Sequence, residues 1–393
     1  LFNLNKAFYL YQTQSFTGTE LPAKTLCLTF DDGPGKHTAD IARFLYENNI
    51  QATFFVVGKY AYHHPDILQQ LKEMDHLVGN HTYEHPDIPY YVSVDGNIID
   101  QVVRTDAVIK PYVTSNRVYF RAPYGKWSPE VAHELNRSIL TANHIGPIFW
   151  EVAGIDCYYW QNNWPAEEAA ARYLTDIEQQ GRGIVVFHDE IADMDVVKPR
   201  NKTLELLKIL VPQLLERGYQ FVSLDEIPSI KETSTEKPTF TLRSKGGKRV
   251  SLKNKIELYA VGQAGNLQNL LTLEELGYGK VAIKAANNLY LSTAGETNNL
   301  TASAVEMNAT ETFDLIPVNA TTIMLRCTNG FYVAIEKNGK LSSSAQFMRQ
   351  AAIFSYANHN LAVKNSISLM KRFSLLKKRL LFVKSKLQQK ISQ

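Results

Sequence analysis

From residue 24 to residue 227 the chain alternates short β-rich runs with stretches of helical period, and no other feature restricts its fold as much. Ala23 to Phe30 (AKTLCLTF) is β-rich and closes on Asp31-Asp32-Gly33-Pro34, after which His37 to Asn49 carries Ile41, Phe44 and Leu45 at helical spacing. Further apolar runs stand at Ala52 to Val57, Val118 to Phe120, Ile148 to Val152, Gly183 to Phe187 and Gln220 to Leu224. Helix-like stretches such as Pro165 to Gln180 and Lys202 to Arg217 separate several of them. Repeated βα units imply an α/β fold with a parallel sheet or barrel, whose chemistry sits at the carboxyl ends of the strands.

Beyond residue 228 the character changes. Ser229 to Pro238 (SIKETSTEKP) is polar, charged and ends in proline, which predicts a linker. The following residues are rich in Asn and Gly, give few helix signals, and repeat. Ile283-Lys-Ala-Ala-Asn-Asn-Leu-Tyr-Leu291 aligns with Leu325-Arg-Cys-Thr-Asn-Gly-Phe-Tyr-Val333 at an offset of 42, and Phe313 with Phe354 at an offset of 41. A fainter copy begins at Leu242-Arg243, with Lys248-Arg249-Val250 in the Leu-Tyr-Leu place. Three units of about forty residues, each a set of short strands, predict a threefold closed β structure. The pattern resembles the β-trefoil domains of the fascin-like group, across roughly residues 239 to 362. Such a domain implies either a sugar ligand, which would hold the chain on a polymer, or recruitment by another protein.

The last 28 residues differ again. Met370, Phe373, Leu376, Leu380, Val383, Leu387 and Ile391 recur at three- and four-residue intervals among eight Lys/Arg and no Asp/Glu, an amphipathic basic helix by period. It is expected either to pack on the body or to contact a cell-wall polymer or anionic membrane surface. Overall charge is +3, so the rest of the chain carries about −5, and motifs for nucleic acid are absent. The domain plan is therefore an N-terminal extension over 1–23, a catalytic α/β domain over 24–228, a linker over 229–238, an all-β domain over 239–365 and a basic tail over 366–393. A 45% apolar content excludes a disordered chain, and three widely spaced cysteines indicate neither a disulfide framework nor a cysteine zinc site. Cys27, Cys157 and Cys327 are expected to be buried small apolar residues. No run of eighteen or more apolar residues occurs. The first residue is Leu1, compatible with a processed export signal or with trimming, so compartment is read from substrate.

Four polar clusters fall in loops after expected strands: Thr29-Phe-Asp-Asp-Gly-Pro34, Asn80-His-Thr-Tyr-Glu-His85, Phe120-Arg-Ala-Pro-Tyr124 and Val186-Phe-His-Asp189. Two histidines at i and i+4 lie on one face of a helix and can grip one metal ion. Taken singly, Asp-Asp-Gly is also a turn, Arg121 a surface ion pair and His188 a core histidine. Together and in this order they resemble the polysaccharide deacetylases of the NodB homology group, carbohydrate esterase family four, across roughly residues 24 to 227.

That resemblance implies a distorted (β/α) barrel of the NodB type, a bound Zn2+ or another divalent metal such as Co2+, and removal of acetyl groups from N-acetylglucosamine units of a polysaccharide such as peptidoglycan or chitin. By motif, Asp32, His81 and His85 would be the metal ligands, Asp31 the general base, Arg121 the residue holding it, His188 the general acid with Asp156 as its partner, and the Tyr124 backbone N–H a donor to the developing oxyanion. Amide hydrolysis needs an activated water, a polarised carbonyl and a proton for the departing amine, and this set supplies all three. The polymer implies a secreted, periplasmic or cell-envelope location.

One region departs from the family. In Trp150-Glu-Val-Ala-Gly-Ile-Asp-Cys157, Ala153 stands where an Asp is expected and Cys157 where a Trp is expected, so Trp160 is expected to supply the missing ring of the acetyl pocket. Val186 takes a Leu place and keeps that wall apolar. Tyr90, Tyr91, Tyr158, Tyr159 and Trp160 could stack on sugar faces, or serve as plain core or rim residues. The remaining histidines, His37, His63, His64, His76, His133, His144 and His359, are expected to be surface or structural. Two other functions compete. A catalytically weak, lectin-like carbohydrate-binding protein would lack base, ligands or acid, and none is missing. A phosphatase would show an Asp-x-Asp nucleophile and would leave HxxxH unexplained.

Overall fold

The computed structural model describes residues 15–358, apart from 115–116, 142, 153–155, 235–238, 264, 278–279, 295–297 and 320–321. The basic tail at 366–393 and residues 1–14 of the N-terminal extension lie outside the described residues.

Among the described residues the first half builds seven strands: β1 (Thr25–Asp31), β2 (Thr53–Val56), β3 (Leu77–Asn80), β4 (Val118–Tyr119), β5 (His144–Ile145), β6 (Gly183–His188) and β7 (Gln220–Phe221). Between them run α1 (Thr38–Glu47), α2 (Gly58–His63), α3 (Pro65–Glu73), α4 (Ile88–Ser93), α5 (Ile98–Ile109), α6 (Pro129–Arg137), α7 (Asp156–Gln161), α8 (Ala166–Gln180) and α9 (Thr203–Glu216). All seven residues of β1 are buried, as a central parallel strand covered on both faces requires. Helix α1 turns Ile41, Ala42 and Leu45 inward, and α8 ends where Gly181 takes a left-handed φ of 73° and its N–H reaches Ile177 O at 2.7 Å.

Strands pair in the order β3-β2-β1-β6, all parallel, with β7 beside the start of β1. A bridge between Asn80 and Phe120 carries the sheet on to β4, which pairs with β5, and a bridge between Val152 and Val185 returns it to β6. The ring thus closes partly through single bridges, a distorted (β/α) barrel. Residues 148–152, expected as a strand, form only bridges. The Ile148 N–H reaches Phe120 O at 2.9 Å, that of Phe149 reaches Phe16 O at 2.8 Å, and that of Glu151 reaches Ile184 O at 2.9 Å, so the segment passes between three neighbours and pairs continuously with none.

Helix α10 (Pro228–Ser234) occupies the first part of the expected linker, because Ile227 and Ile230 bury beneath the barrel's N-terminal layer and tie it down. The second half is all β, from β8 (Thr239–Ser244) to β19 (Phe354–Asn358), in one connected sheet of twelve strands among the described residues. It repeats three times as three strands, a 3₁₀ turn and a fourth strand, the turns being Leu267–Asn269, Ala309–Glu311 and Met348–Gln350. The aligned positions of the repeat point to one core: Leu242, Ile283 and Leu325 are buried together, as are Val250, Leu291 and Val333. Leu140 joins this core, and Ile99 and Val103 pack against it, which docks the barrel onto the β domain through apolar contact.

Candidate metal centre and active site

Parallel strands end on one side, so the residues that follow β1, β3, β4 and β6 meet there. The register pairs Asp31 with His188 and Val56 with Asn80, which brings the four sequence clusters to one mouth. Asp31 and Asp32 point apart because the backbone turns between them: Asp31 still belongs to β1, while Asp32 has a φ of 77°. Thr82, His85 and Tyr124 are likewise left-handed, with φ of 67°, 62° and 57°. Four such non-glycine residues around one pocket store backbone strain where side chains must be aimed.

Asp32 Oδ1 lies 3.1 Å from His85 Nε2 and 3.5 Å from His81 Nε2, and its Oδ2 accepts the Ala192 N–H at 2.9 Å. His81 Nδ1 is 2.9 Å from Arg121 O, and His85 Nδ1 is 2.5 Å from Asp193 Oδ2. A carbonyl and a carboxylate only accept, so each ring donates from Nδ1 and turns Nε2 toward Asp32. Two ring nitrogens and a carboxylate aimed at one point need positive charge among them, either protons on Nε2 or a cation, and the donor set fits a divalent metal. The local field also asks for positive charge. Burial alone would raise the Asp32 pKa, but His81 and His85 hold it well below the usual carboxylate range. Burial would lower His85, but Asp193 and Asp32 push it up to about 9.

His81 and His85 do not share a helical face, contrary to the i, i+4 expectation. They stand on a loop after β3. Side-chain hydrogen bonds shape it: Asn80 Nδ2 donates to Asp106 Oδ1 at 2.8 Å, Asn80 Oδ1 accepts the Thr82 N–H at 2.8 Å, and Thr82 Oγ1 accepts the His85 N–H at 3.2 Å. Two left-handed residues then bring the rings to a centroid separation of 5.0 Å.

Beside this trio Arg121, fully buried, donates from Nη1 to Asp31 Oδ1 at 2.7 Å and to Thr29 Oγ1 at 2.9 Å, from Nε to Ile148 O at 3.2 Å, and from Nη2 to Phe149 O at 3.1 Å. Its plane lies over the Phe55 ring at 4.2 Å. Across the pocket His188 Nδ1 is 2.8 Å from Asp156 Oδ1, while Asp156 Oδ2 accepts the His188 N–H at 2.7 Å. Burial would lower the His188 pKa, but Cys157 and Asp156 beside it raise it well above the usual histidine value. The Tyr124 ring packs 4.6 Å from that of His85, and its hydroxyl donates to Asp193.

Every residue proposed from the motifs therefore reaches one pocket or supports it. Two further expectations fail. Trp160 is fully buried in the barrel core with Nε1 donating to Thr203 Oγ1 at 3.1 Å, because α7 turns its ring inward; Trp150, Cys157 and Val186 line the pocket. Cys157 is accordingly half-buried on the pocket wall, whereas Cys27 and Cys327 are buried as expected. Ala153 lies outside the described residues. Of the candidate stacking residues, Tyr90 and Tyr158 expose 66% and 56% of their surface, enough to meet a ligand. Sequence reading missed Asp193, whose loop position after β6 carries no motif, and the Ile191 and Met194 walls beside it.

Comparison with known proteins finds matches in both halves of the chain. A family model for polysaccharide deacetylase matches residues 18–142, and a fascin domain model matches residues 232–356. Over 210 residues the chain is 30% identical to a chitooligosaccharide deacetylase of Rhizobium leguminosarum bv. trifolii, covering 52% of this chain and 91% of that one. Over 214 residues it is 25% identical to a peptidoglycan-N-acetylglucosamine deacetylase of Bacillus cereus, covering 54% of this chain and 72% of the relative. Among solved structures, Bacillus subtilis PdaA, a family 4 carbohydrate esterase, aligns with a TM-score of 0.43 at 25% identity, covering 57% of this chain and 86% of that one.

Proposed function

The chain belongs to the polysaccharide deacetylase family, and from that premise we propose that it is a metal-dependent N-deacetylase that hydrolyses the acetamide of N-acetylglucosamine units in a polysaccharide of the chitin or peptidoglycan type, releasing acetate and leaving a free amine. The observation that carries this reading is the convergence of Asp32, His81 and His85 between the Asp31–Arg121 pair and the Asp156–His188 pair. Two neutral imidazoles and one carboxylate suit Zn2+, with Co2+ as a substitute. Asp32, His81 and His85 would hold the metal, which when bound would supply charge that polarises the acetyl carbonyl and acidifies water.

The chain's own residues do the rest. Asp31, fixed by Arg121 and free of the metal trio on its other oxygen, accepts the proton of the attacking water. The Tyr124 backbone N–H donates to the oxygen on which negative charge grows. His188, held by Asp156, delivers a proton from its ring to the departing sugar nitrogen. Trp150, Val186 and Cys157 form an apolar wall suited to an acetyl methyl group. The exposed Tyr90 and Tyr158 offer faces to neighbouring sugars. A binding-only protein with the same barrel would not need base, ligands and acid in one pocket.

The second half supports a β-trefoil reading through its three repeats and its fascin match, and we take it as a module that keeps the enzyme on its polymer. We propose a division at 24–228 and 239–365, which the family-model matches at 18–142 and 232–356 overlap, with the tail at 366–393 contacting an anionic wall or membrane surface through its eight basic residues. The substrate makes a secreted, periplasmic or cell-envelope location part of the same proposal, to be checked by fractionation. The deciding assay offers the protein chitin oligomers and intact peptidoglycan and measures acetate. Chelation is expected to stop release and Zn2+ or Co2+ to restore it; release indifferent to chelator would end the proposal.

Two further outcomes follow from the charges. His188 stays protonated above the ordinary histidine range because of the charges beside it, so its acid function is lost only as pH rises through that raised value. Asp156→Asn removes one of those charges, so the alkaline limb of kcat is expected to move to lower pH, and an unmoved limb would detach Asp156 from the acid. Asp193→Ala removes the carboxylate that orients His85 and is expected to weaken metal affinity about 10- to 100-fold in a chelator competition.

A further inference from the structure

Cys157 gives the pocket a second constellation of ligands. Asp156 Oδ1, Cys157 Sγ and His188 Nδ1 all lie within 4.8 Å of one another. Their separations are 2.8 Å from oxygen to nitrogen, 3.5 Å from sulfur to nitrogen and 4.0 Å from sulfur to oxygen. Ligands bound at about 2.3 Å through sulfur and about 2.0–2.2 Å through nitrogen and oxygen lie roughly 3.3–3.6 Å apart around a tetrahedral zinc. The three observed separations bracket that range, and rotation of the cysteine and imidazole side chains by about half an ångström brings them into it.

The setting favours an ion as well as the distances do. Asp156 is held rigidly: Oδ1 also accepts the Cys157 N–H at 3.0 Å, and Oδ2 takes the His188 N–H at 2.7 Å and the Thr203 hydroxyl at 3.3 Å. Cys157 and His188 both line the open pocket, so an ion has a path in and a fourth position for water. A thiolate also draws soft and borderline metals, zinc among them.

We propose that Asp156, Cys157 and His188 form a second transition-metal site, distinct from the Asp32, His81, His85 centre, and that filling it switches the enzyme off. On binding, the Cys157 thiol and His188 Nδ1 each give up a proton to solvent, and the ion takes the place of the proton that Asp156 and His188 share. The His188 ring then keeps its proton on Nε2 as a neutral metal-bound imidazole, a far weaker acid than imidazolium, so it no longer delivers that proton to the leaving nitrogen. The inhibitory consequence rests on the deacetylase reading; the binding site does not.

The test uses the full chain freed of metal and titrated with Co2+, whose thiolate complexes show an intense near-ultraviolet charge-transfer band. Wild type is expected to bind two cobalt ions, with the band growing in as the weaker site fills. Asp32→Ala is expected to bind one ion and keep the band; Cys157→Ser and Cys157→Ala to bind one ion and lack it. Excess zinc is expected to lower wild-type acetate release roughly a hundredfold, the lower end of what a general acid contributes. The cysteine variants are expected to keep their own maximal rate at that zinc concentration. Saturating cobalt without a band in wild type, or a band that survives in both cysteine variants, would overturn the site. Should the deacetylase reading fail, no polymer would yield acetate while the cobalt band still appeared.

Discussion

Asp31→Asn is expected to lower the rate of acetate release by about two to four orders of magnitude, the contribution of a positioned general base. The reason is geometric. Asp31 Oδ1 is tied to Arg121 at 2.7 Å, while Oδ2 lies 3.9 Å from His81 Nε2, at the rim of the metal trio but not within its hydrogen-bonding distances. Asparagine keeps the size of the side chain and an oxygen to accept from Arg121, yet it cannot take a proton from water. Metal content is therefore expected to stay at the wild-type level while turnover falls, which separates loss of the base from loss of the ion. A variant that keeps more than a tenth of the wild-type rate with metal bound would show that another group takes the proton. Asp32→Asn offers the contrast: a neutral amide in place of the shared carboxylate is expected to lose metal and activity together.

Arg121→Met is expected to cost both folding and catalysis. Arg121 is fully buried, its partner Asp31 is nearly so, and breaking a buried ion pair by removing one member costs about 3–5 kcal/mol because the other charge is left uncompensated. Methionine also abandons Thr29 Oγ1, Ile148 O and Phe149 O, three acceptors that the guanidinium satisfies at once. Chemical denaturation of the full chain measures the loss in its barrel transition. Arg121→Lys keeps a charge but not the planar fork, so it is expected to fall between Met and wild type in stability. A barrel transition unchanged in Arg121→Met would mean that the Arg121–Asp31 pair does not hold the barrel, and the assignment of Arg121 as the residue that fixes the base would fall with it.

The barrel itself was legible because β1, β2 and β6 are continuous apolar runs between stretches of helical spacing, and such runs have few other ways to bury themselves. Residues 148–152 looked like another strand, since apolar content reports burial and not pairing. In the folded chain their N–H groups go to three different neighbours. The β domain was legible for a separate reason: its repeat places the same apolar residues in one core three times over. Trp160 misled because ring position relative to Cys157 is a helix-direction question, and α7 carries that ring into the core instead of the pocket.

By itself the sequence determined which chemistry was available: adjacent carboxylates after a buried strand, two imidazoles four residues apart, one arginine before Ala-Pro-Tyr, and a last histidine after an apolar run. Tertiary structure alone decided which atoms face which. It opened HxxxH from a helix into a loop, gave Asp193 to His85 and Tyr124, and set Cys157 beside His188. The physical reason is that residue type fixes what a side chain can donate, accept or bind. Its direction, by contrast, is set by backbone angles such as the 77° φ of Asp32 and by the parallel register of strands distant in sequence.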